Sequence, residues 1–233
     1  MNPYLNHAKH LVAVDCIIFG YDLPDKELKL LLLKRIFEPA RDKWSLAGGF
    51  VQADESLDDA ACRILRKLTG LDSVYMKQSY CYGDVGRDPG DRVISVAYYA
   101  LTSIRDIDSD IVMRNGVHWH SVSRLPDLIF DHNAMVKKAL SDLQNDIKIT
   151  PAGFELLPEK FTLVQLEELY KAIYQHDIDR RNFRKKVVAL GILEKLEEKE
   201  TETSKRGAYY YRYNRETIEK LKREGFYFDL EVS

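Results

Sequence analysis

Two unbroken apolar runs open the chain, LVAVDCIIFGY over 11–21 and LKLLLLKR over 28–35. Runs of this kind read as strands buried on both faces rather than on one. PDKE between them supplies a turn. WSLAGGFV (44–51), YMKQSYCY (75–82), RVISVAYYALT (92–102) and VHWHSV (117–122) are further strand-like segments. Between the third and fourth of these six the period changes. Leu57, Ala60, Ala61, Ile64, Leu65 and Leu68 fall at i, i+3, i+4, i+7, i+8 and i+11, one stripe of a helix. Asp54 or Ser56 is placed to cap its start and Gly70 to end it. NAMVKKALSDLQND (133–146) is a second amphipathic helix. Residues 1–147 therefore predict an α/β unit with a mixed sheet.

From residue 148 the texture changes. IKITPAGFELLPEKF carries two prolines and a glycine and reads as a connector over 148–160. TLVQLEELYKAIYQ follows, with Thr162 and Gln165 at capping-box spacing. A second helix spans roughly 179–190 and stops at Gly191. ILEKLEEKETETSKRGAYYYRYN then reads as strand, charged loop and strand. Two helices followed by a hairpin make a winged-helix pattern, assigned to 161–233.

The net charge of −2 excludes a chain that binds polyanions over its whole surface, so any nucleic-acid face must be local. Three scattered cysteines without a CxxC (Cys16, Cys62, Cys81) predict buried, reduced thiols, not a disulfide framework or zinc site. No apolar run approaches the ~18 residues of a membrane span. The opening MNPYLNHAKH lacks a signal-peptide core. The expected location is the cytoplasm, away from membranes.

Residues 49–71 carry a more specific pattern. Counting from Gly49, Glu55 stands six residues on, Arg63 fourteen, Leu65 sixteen, Gly70 twenty-one and Leu71 twenty-two. This spacing resembles the Nudix box. The resemblance assigns three metal-binding glutamates to Ile64, Lys67 and Leu68, none of which is acidic. Hydrolysis of a diphosphate in that family needs carboxylates to hold a divalent cation. Ile64 and Leu68 are suited to packing, and Lys67 repels a cation. No catalytic residue, metal or cofactor is therefore expected. Glu55 and Arg63, two helical turns apart, remain as a structural ion pair.

The densest positive cluster is RRNFRKK (180–186). On a wheel of ~100° per residue, Val187 and Leu190 lie within about 40° of Phe183 and form the buried stripe. Arg181 and Lys185 lie opposite, flanked by Asn182 and Arg184, with Val188 and Ala189 on the outer side. Arginine for guanine, asparagine for adenine and small apolar groups for thymine suit a recognition helix in a major groove. Arg180, Arg181, Asn182, Arg184 and Lys185 are the candidate helix contacts. Lys205 and Arg206 are candidate wing contacts to phosphate or a minor groove.

An acid-less box followed by such a module resembles the Nudix-related transcriptional regulators. The likeness is carried by FEPARDKWSLAGGFV, GRDPGDRVISVAYYAL, LIFDH, and FTLVQLEELYKAIY…RRNFRKKV…SKRGA. FEPA and its surroundings resemble most the L-arabinose-responsive branch from Bacteroides-type bacteria. A second branch senses ADP-ribose and controls NAD genes. The resemblance implies a homodimeric repressor on a palindromic double-stranded DNA operator. It also implies a small effector in the Nudix domain, here a pentose, alternatively ADP-ribose. A neutral sugar asks for an aromatic wall with carboxylate and cationic groups. Lys34, Phe37, Glu38, Trp44, Arg87, Asp88 and Asp131 are the candidates. An ADP-ribose pocket needs more positive charge, and Lys34, Arg35, Arg87 and Arg92 are at hand.

Overall fold

The computed structural model describes residues 2–71, 74–149, 153, 156–201 and 207–224. The strands are β1 (Leu11–Asp22), β2 (Glu27–Lys34), β3 (Trp44–Ser45), β4 (Ala47–Phe50), β5 (Tyr75–Tyr82), β6 (Val93–Ser103), β7 (Val117–Ser121), β8 (Phe161–Thr162), β9 (Leu193–Glu200) and β10 (Ala208–Tyr213). The helices are α1 (Leu57–Thr69), α2 (Ser109–Arg114), α3 (His132–Ile149), α4 (Leu163–Tyr174), α5 (Arg180–Ala189) and α6 (Arg215–Arg223). None is long and apolar enough to cross a membrane, among the described residues.

A seven-stranded mixed sheet runs in the order β3-β2-β1-β6-β5, with β4 also on β1 and β7 also on β2. β1 is the spine: parallel to β6, antiparallel to β2 and β4. Its apolar run is explained by coverage on both sides. Val14, Cys16 and Ile18 face α1, while Ile17, Phe19 and Tyr21 face the layer that contains α3 and α4. The second of these clusters continues without a break through Leu143 of α3 and Leu166 and Leu169 of α4 to Phe183 of α5. The small three-stranded sheet β8-β10-β9 completes the C-terminal module.

Local chemistry sets the helix ends. Ser56 and Asp59 form a reciprocal capping box at α1, and Gly70 closes it at φ 75. Thr162 and Gln165 form the corresponding box at α4. Asp179 caps α5 by accepting from the amides of Arg181 and Asn182.

Three expectations change. The segment 44–51 is not one strand: β3 and β4 are divided at Leu46, whose amide donates to His132 Nδ1 at 3.1 Å instead of joining a ladder. Cys16 is buried, but Cys62 and Cys81 are exposed, on the outer side of α1 and on the edge strand β5. The short α2 and the charged α6 also add elements that hydrophobic periodicity does not announce.

Candidate functional site

The box helix is built from its loop. Glu55 accepts from the Gln52 amide at 2.8 Å and from Arg63 Nε and Nη2 at 2.8 and 2.6 Å. Arg63 also donates to the Phe50 carbonyl at 3.2 Å, which ties β4 to α1. The Arg63 bonds, then the Gln52 amide, hold the Glu55 carboxyl well below its usual range, at about 2. Ile64 and Leu68 are buried in the core between α1 and the sheet, and Lys67 is exposed. Gly49 lies against Ile64: a Cβ there would stand 3.3 Å from its Cδ1.

Two further acids, in the first turn of α1, are committed. Asp58 accepts from Tyr98 at 2.5 Å, and Asp59 serves the capping box. No group of three or more His, Cys, Asp or Glu among the described residues could hold a metal. The donor set on this helix therefore does not fit a divalent cation.

A second polar cluster lies on the opposite face of the sheet, where the loops 35–43, 83–92 and 125–131 meet. Arg87 forks onto Asp131, Nε and Nη2 donating at 2.8 and 2.7 Å. The Arg87 side chain is only 5% exposed, and its Nη2 also lies 3.9 Å from Asp15. Asp15 accepts from Ser95 at 2.5 Å and lies 3.9 Å from His132 Nε2. Gly48, paired with Asp15 across β4, is required: a Cβ there would meet Asp15 Oδ1 at 2.3 Å.

Burial pushes the His132 imidazole below its ordinary value, against the pull of Asp15 and Asp131. It is neutral at pH 7. Its Nδ1 accepts from Leu46, so the proton sits on Nε2, facing Asp15.

The rim of this cluster is aromatic and cationic. Lys34 lies over Trp44 at 5.2 Å. Arg35 lies over Phe37 at 4.3 Å and Phe130 at 5.6 Å. Phe130 in turn meets His132 edge-on. Neither Lys34 nor Arg35 is in an ion pair among the described residues.

Of the expected effector residues, Arg87 and Asp131 are bonded to each other, Lys34 is stacked with Trp44, and Phe37 connects to them through Arg35. Glu38 is exposed beside the cis peptide to Pro39. Asp88 is occupied within its own loop, accepting from the Gly90 amide at 2.8 Å. Asp15, Phe130 and His132 were absent from the expected set, and Arg35 entered it only as a cation for ADP-ribose. Asp15 had a legible signal, being the single charge inside an apolar run.

α5 presents the third arrangement. Phe183 and Val187 are buried at 1% and 2% exposure, which fixes the opposite face outward. Arg181, Lys185, Val188 and Ala189 are exposed there, and Asn182 is half-buried. The side chains of Arg181 and Lys185 make no ion pair among the described residues. Arg180 reaches Glu168 at 4.0 Å. Arg184, also expected among the helix contacts, is exposed on α5, and its guanidinium forks onto the buried Glu167 of α4. A buried carboxylate needs a partner, and Arg184 is the cation within reach. Lys205 and Arg206 lie outside the described residues.

Comparison with known proteins finds two family matches along the chain. Residues 9–142 match the model of the NUDIX domain, and residues 153–213 that of the NrtR DNA-binding winged helix domain. The ADPR responsive transcriptional repressor NtrR of Acinetobacter baylyi is 31% identical over 212 residues, covering 89% of this chain and 84% of its own. NrtR of Shewanella oneidensis, solved in complex with a 27mer DNA, superposes with a TM-score of 0.78 at 28% identity, over 95% of this chain and 99% of that one. Its NUDIX domain, solved with ADP ribose, superposes with a TM-score of 0.50 at 29% identity, over 61% of this chain and 94% of that one.

These findings overturn the expectation of an L-arabinose effector and of a role in carbohydrate use. The relative aligned over most of the chain is described as ADPR responsive, and a similar NUDIX domain holds ADP ribose. The arabinose expectation rested on FEPA and the general wording of the chain, which the likeness to these proteins outweighs. By its box, its fold and its C-terminal module, the chain belongs to the Nudix family, among the Nudix-related transcriptional regulators with an NrtR-type winged helix.

Proposed function

We propose that the chain is an ADP-ribose-responsive transcriptional repressor whose Nudix domain senses without hydrolysing. Residues 1–147 form the sensor, 148–160 the connector and 161–233 the DNA-binding module. The protein acts as a homodimer on a palindromic operator, with half-sites about 10 bp apart or a multiple of that turn. Arg181 and Lys185 contact the major groove. Arg180 and Asn182 flank them, and Lys205 and Arg206 contact DNA from the wing. Arg184 positions α5 through its fork onto Glu167 of α4.

The carrying observation is that α1 is closed by Ile64 and Leu68 where a cation would sit, while α5 keeps Arg181 and Lys185 open. Unpaired Lys34 and Arg35 beside Trp44, Phe37 and Phe130 supply positive charge for a diphosphate and faces for a base. Asp131 and Arg87 supply hydrogen bonds for ribose hydroxyls. Ligand control requires only that ADP-ribose bind the DNA-competent and DNA-incompetent arrangements with different affinity.

The test is fluorescence anisotropy of the full chain on the palindrome upstream of its own operon, titrated with ADP-ribose. A parallel assay follows AMP release in Mg²⁺. Operator affinity should change by about 5- to 150-fold, the usual range for coupled sites, with no AMP formed. Steady AMP release, or an operator affinity indifferent to ADP-ribose, would sink the reading.

A further inference from the structure

The last four carbonyls of a helix have no partner within it. At α4 all four are satisfied, and only two of them locally. The Lys171 carbonyl accepts from the Gln175 amide at 3.0 Å, and that of Ala172 from the Gln175 side chain. The carbonyls of Ile173 and Tyr174 accept from Gln144 Nε2, at 3.0 and 3.2 Å. Gln144 belongs to α3, in the sensor. Half of the C-terminal cap of the first DNA-module helix is thus supplied by the other domain.

We propose that Gln144 is a positioning residue for DNA binding: its amide sets the turn that aims α5 and makes that turn answer to the sensor. Three observations support this. Gln175 closes α4 at φ 59, a left-handed conformation that glycine usually fills, so the turn depends on side chains to hold it. Asp179 begins α5 directly after this turn, and the Arg184–Glu167 fork fixes α5 against α4. A shift of the α4 terminus therefore moves Arg181 and Lys185 with it.

At its other end α3 starts at His132, beside the Arg87–Asp131 fork. Between these ends it is fastened to β5. Asp142 accepts from Ser79 at 2.6 Å, and Asp146 from Lys77 and Tyr75 at 2.8 and 2.9 Å. Gln144, two residues from each, points from a different side of the helix, toward α4. An 18-residue helix is about 27 Å long, enough to join the two sites as one rigid element.

The test uses the full chain with Gln144→Leu, which removes both donors at similar size, and Gln144→Lys, which returns a donor to a helix C-terminus. Amide hydrogen exchange is measured without ligand. Gln144→Leu should speed exchange in residues 175–183 about tenfold, on the scale of one or two lost hydrogen bonds, and leave α1 unchanged. Gln144→Lys should exchange like the parent. The second measurement is the ratio of operator affinities with and without ADP-ribose, and only this part rests on the effector proposed above. Gln144→Leu should bring the ratio to within about twofold of one at unchanged ADP-ribose affinity, against the several-fold ratio of a coupled pair. Gln144→Lys should keep it. Parent-like exchange in Gln144→Leu, or a lysine variant as loose as the leucine one, would overturn the proposal. If the parent itself ignores ADP-ribose, the effector reading fails while the exchange measurement still decides the cap.

Discussion

Arg87 and Arg181 are the same side chain in opposite settings. Arg87 is 5% exposed, forked onto Asp131 and close to Asp15. Arg181 is exposed on α5 and makes no ion pair among the described residues. The first has its partners built into the fold, so it contributes geometry: it ties its own loop to the Asp131 loop and to β1. The second leaves its charge open to solvent, where an outside anion can reach it. The Nudix part thus holds a closed ion cluster with the open cations Lys34 and Arg35 at its rim, whereas the outer face of α5 carries open cations without such a cluster.

The largest effect should come from opening the closed side. Arg87→Met strands Asp131 and Asp15 beside a buried cluster, and breaking such a pair costs about 3–5 kcal/mol. Urea denaturation measures it, and a loss below ~1 kcal/mol would mean that the cluster is not closed.

Arg181→Ala combined with Lys185→Ala should act in the reverse way. Operator affinity should fall by about 10- to 100-fold at moderate salt, with a shallower salt dependence. Folding stability should stay within ~0.5 kcal/mol. A stability loss comparable to that of Arg87→Met would erase the distinction between the two regions.

His132 sharpens the comparison by pH. Its folded value is depressed from 6.5 by burial, so the unfolded chain binds its proton more readily. Its contribution is complete above pH 6.5 and is lost as pH falls toward the lowered folded value. The thermal midpoint should hold above that point and decline on acidification below it. His132→Asn, which can still accept from Leu46, should decline less steeply. Identical pH profiles would remove His132 from the closed cluster.

The smallest effect belongs to the exposed box position. Lys67→Glu should change stability by no more than ~0.5 kcal/mol and should not start Mg²⁺-dependent AMP release from ADP-ribose. One restored acid beside buried Ile64 and Leu68 cannot surround a cation. Onset of hydrolysis would show that α1 is less closed than its packing indicates.

Much of this was legible in the chain because it is local. The capping boxes of α1 and α4, the Gly70 stop and the buried face of α5 each depend on residues within a turn or two of one another. So does the Glu55–Arg63 pair. Other features depend on residues far apart in sequence. His132 takes the Leu46 amide across 86 positions and splits a strand. The fork of Arg184 onto Glu167 joins two helices across 17 positions, which a basic helix read alone does not show. Asp88 sits beside Arg87 in the same loop, but only Arg87 reaches the cluster, because Asp88 closes its own turn. Cys62 and Cys81 are exposed because the helix and the edge strand turn them outward.

Periodicity, caps and the box spacing by themselves determined an α/β unit followed by a winged-helix pattern, and they located the basic face. These are properties of short segments, where a residue's neighbours in sequence are its neighbours in space. Only the tertiary structure decided which charges are spent and which are free. It brought Asp15, Arg87, Asp131 and His132 from four separate elements into one cluster. It also set Gln144 of the sensor on the last carbonyls of α4. Pairing across domains follows from packing distance, which the order of residues along the chain does not contain.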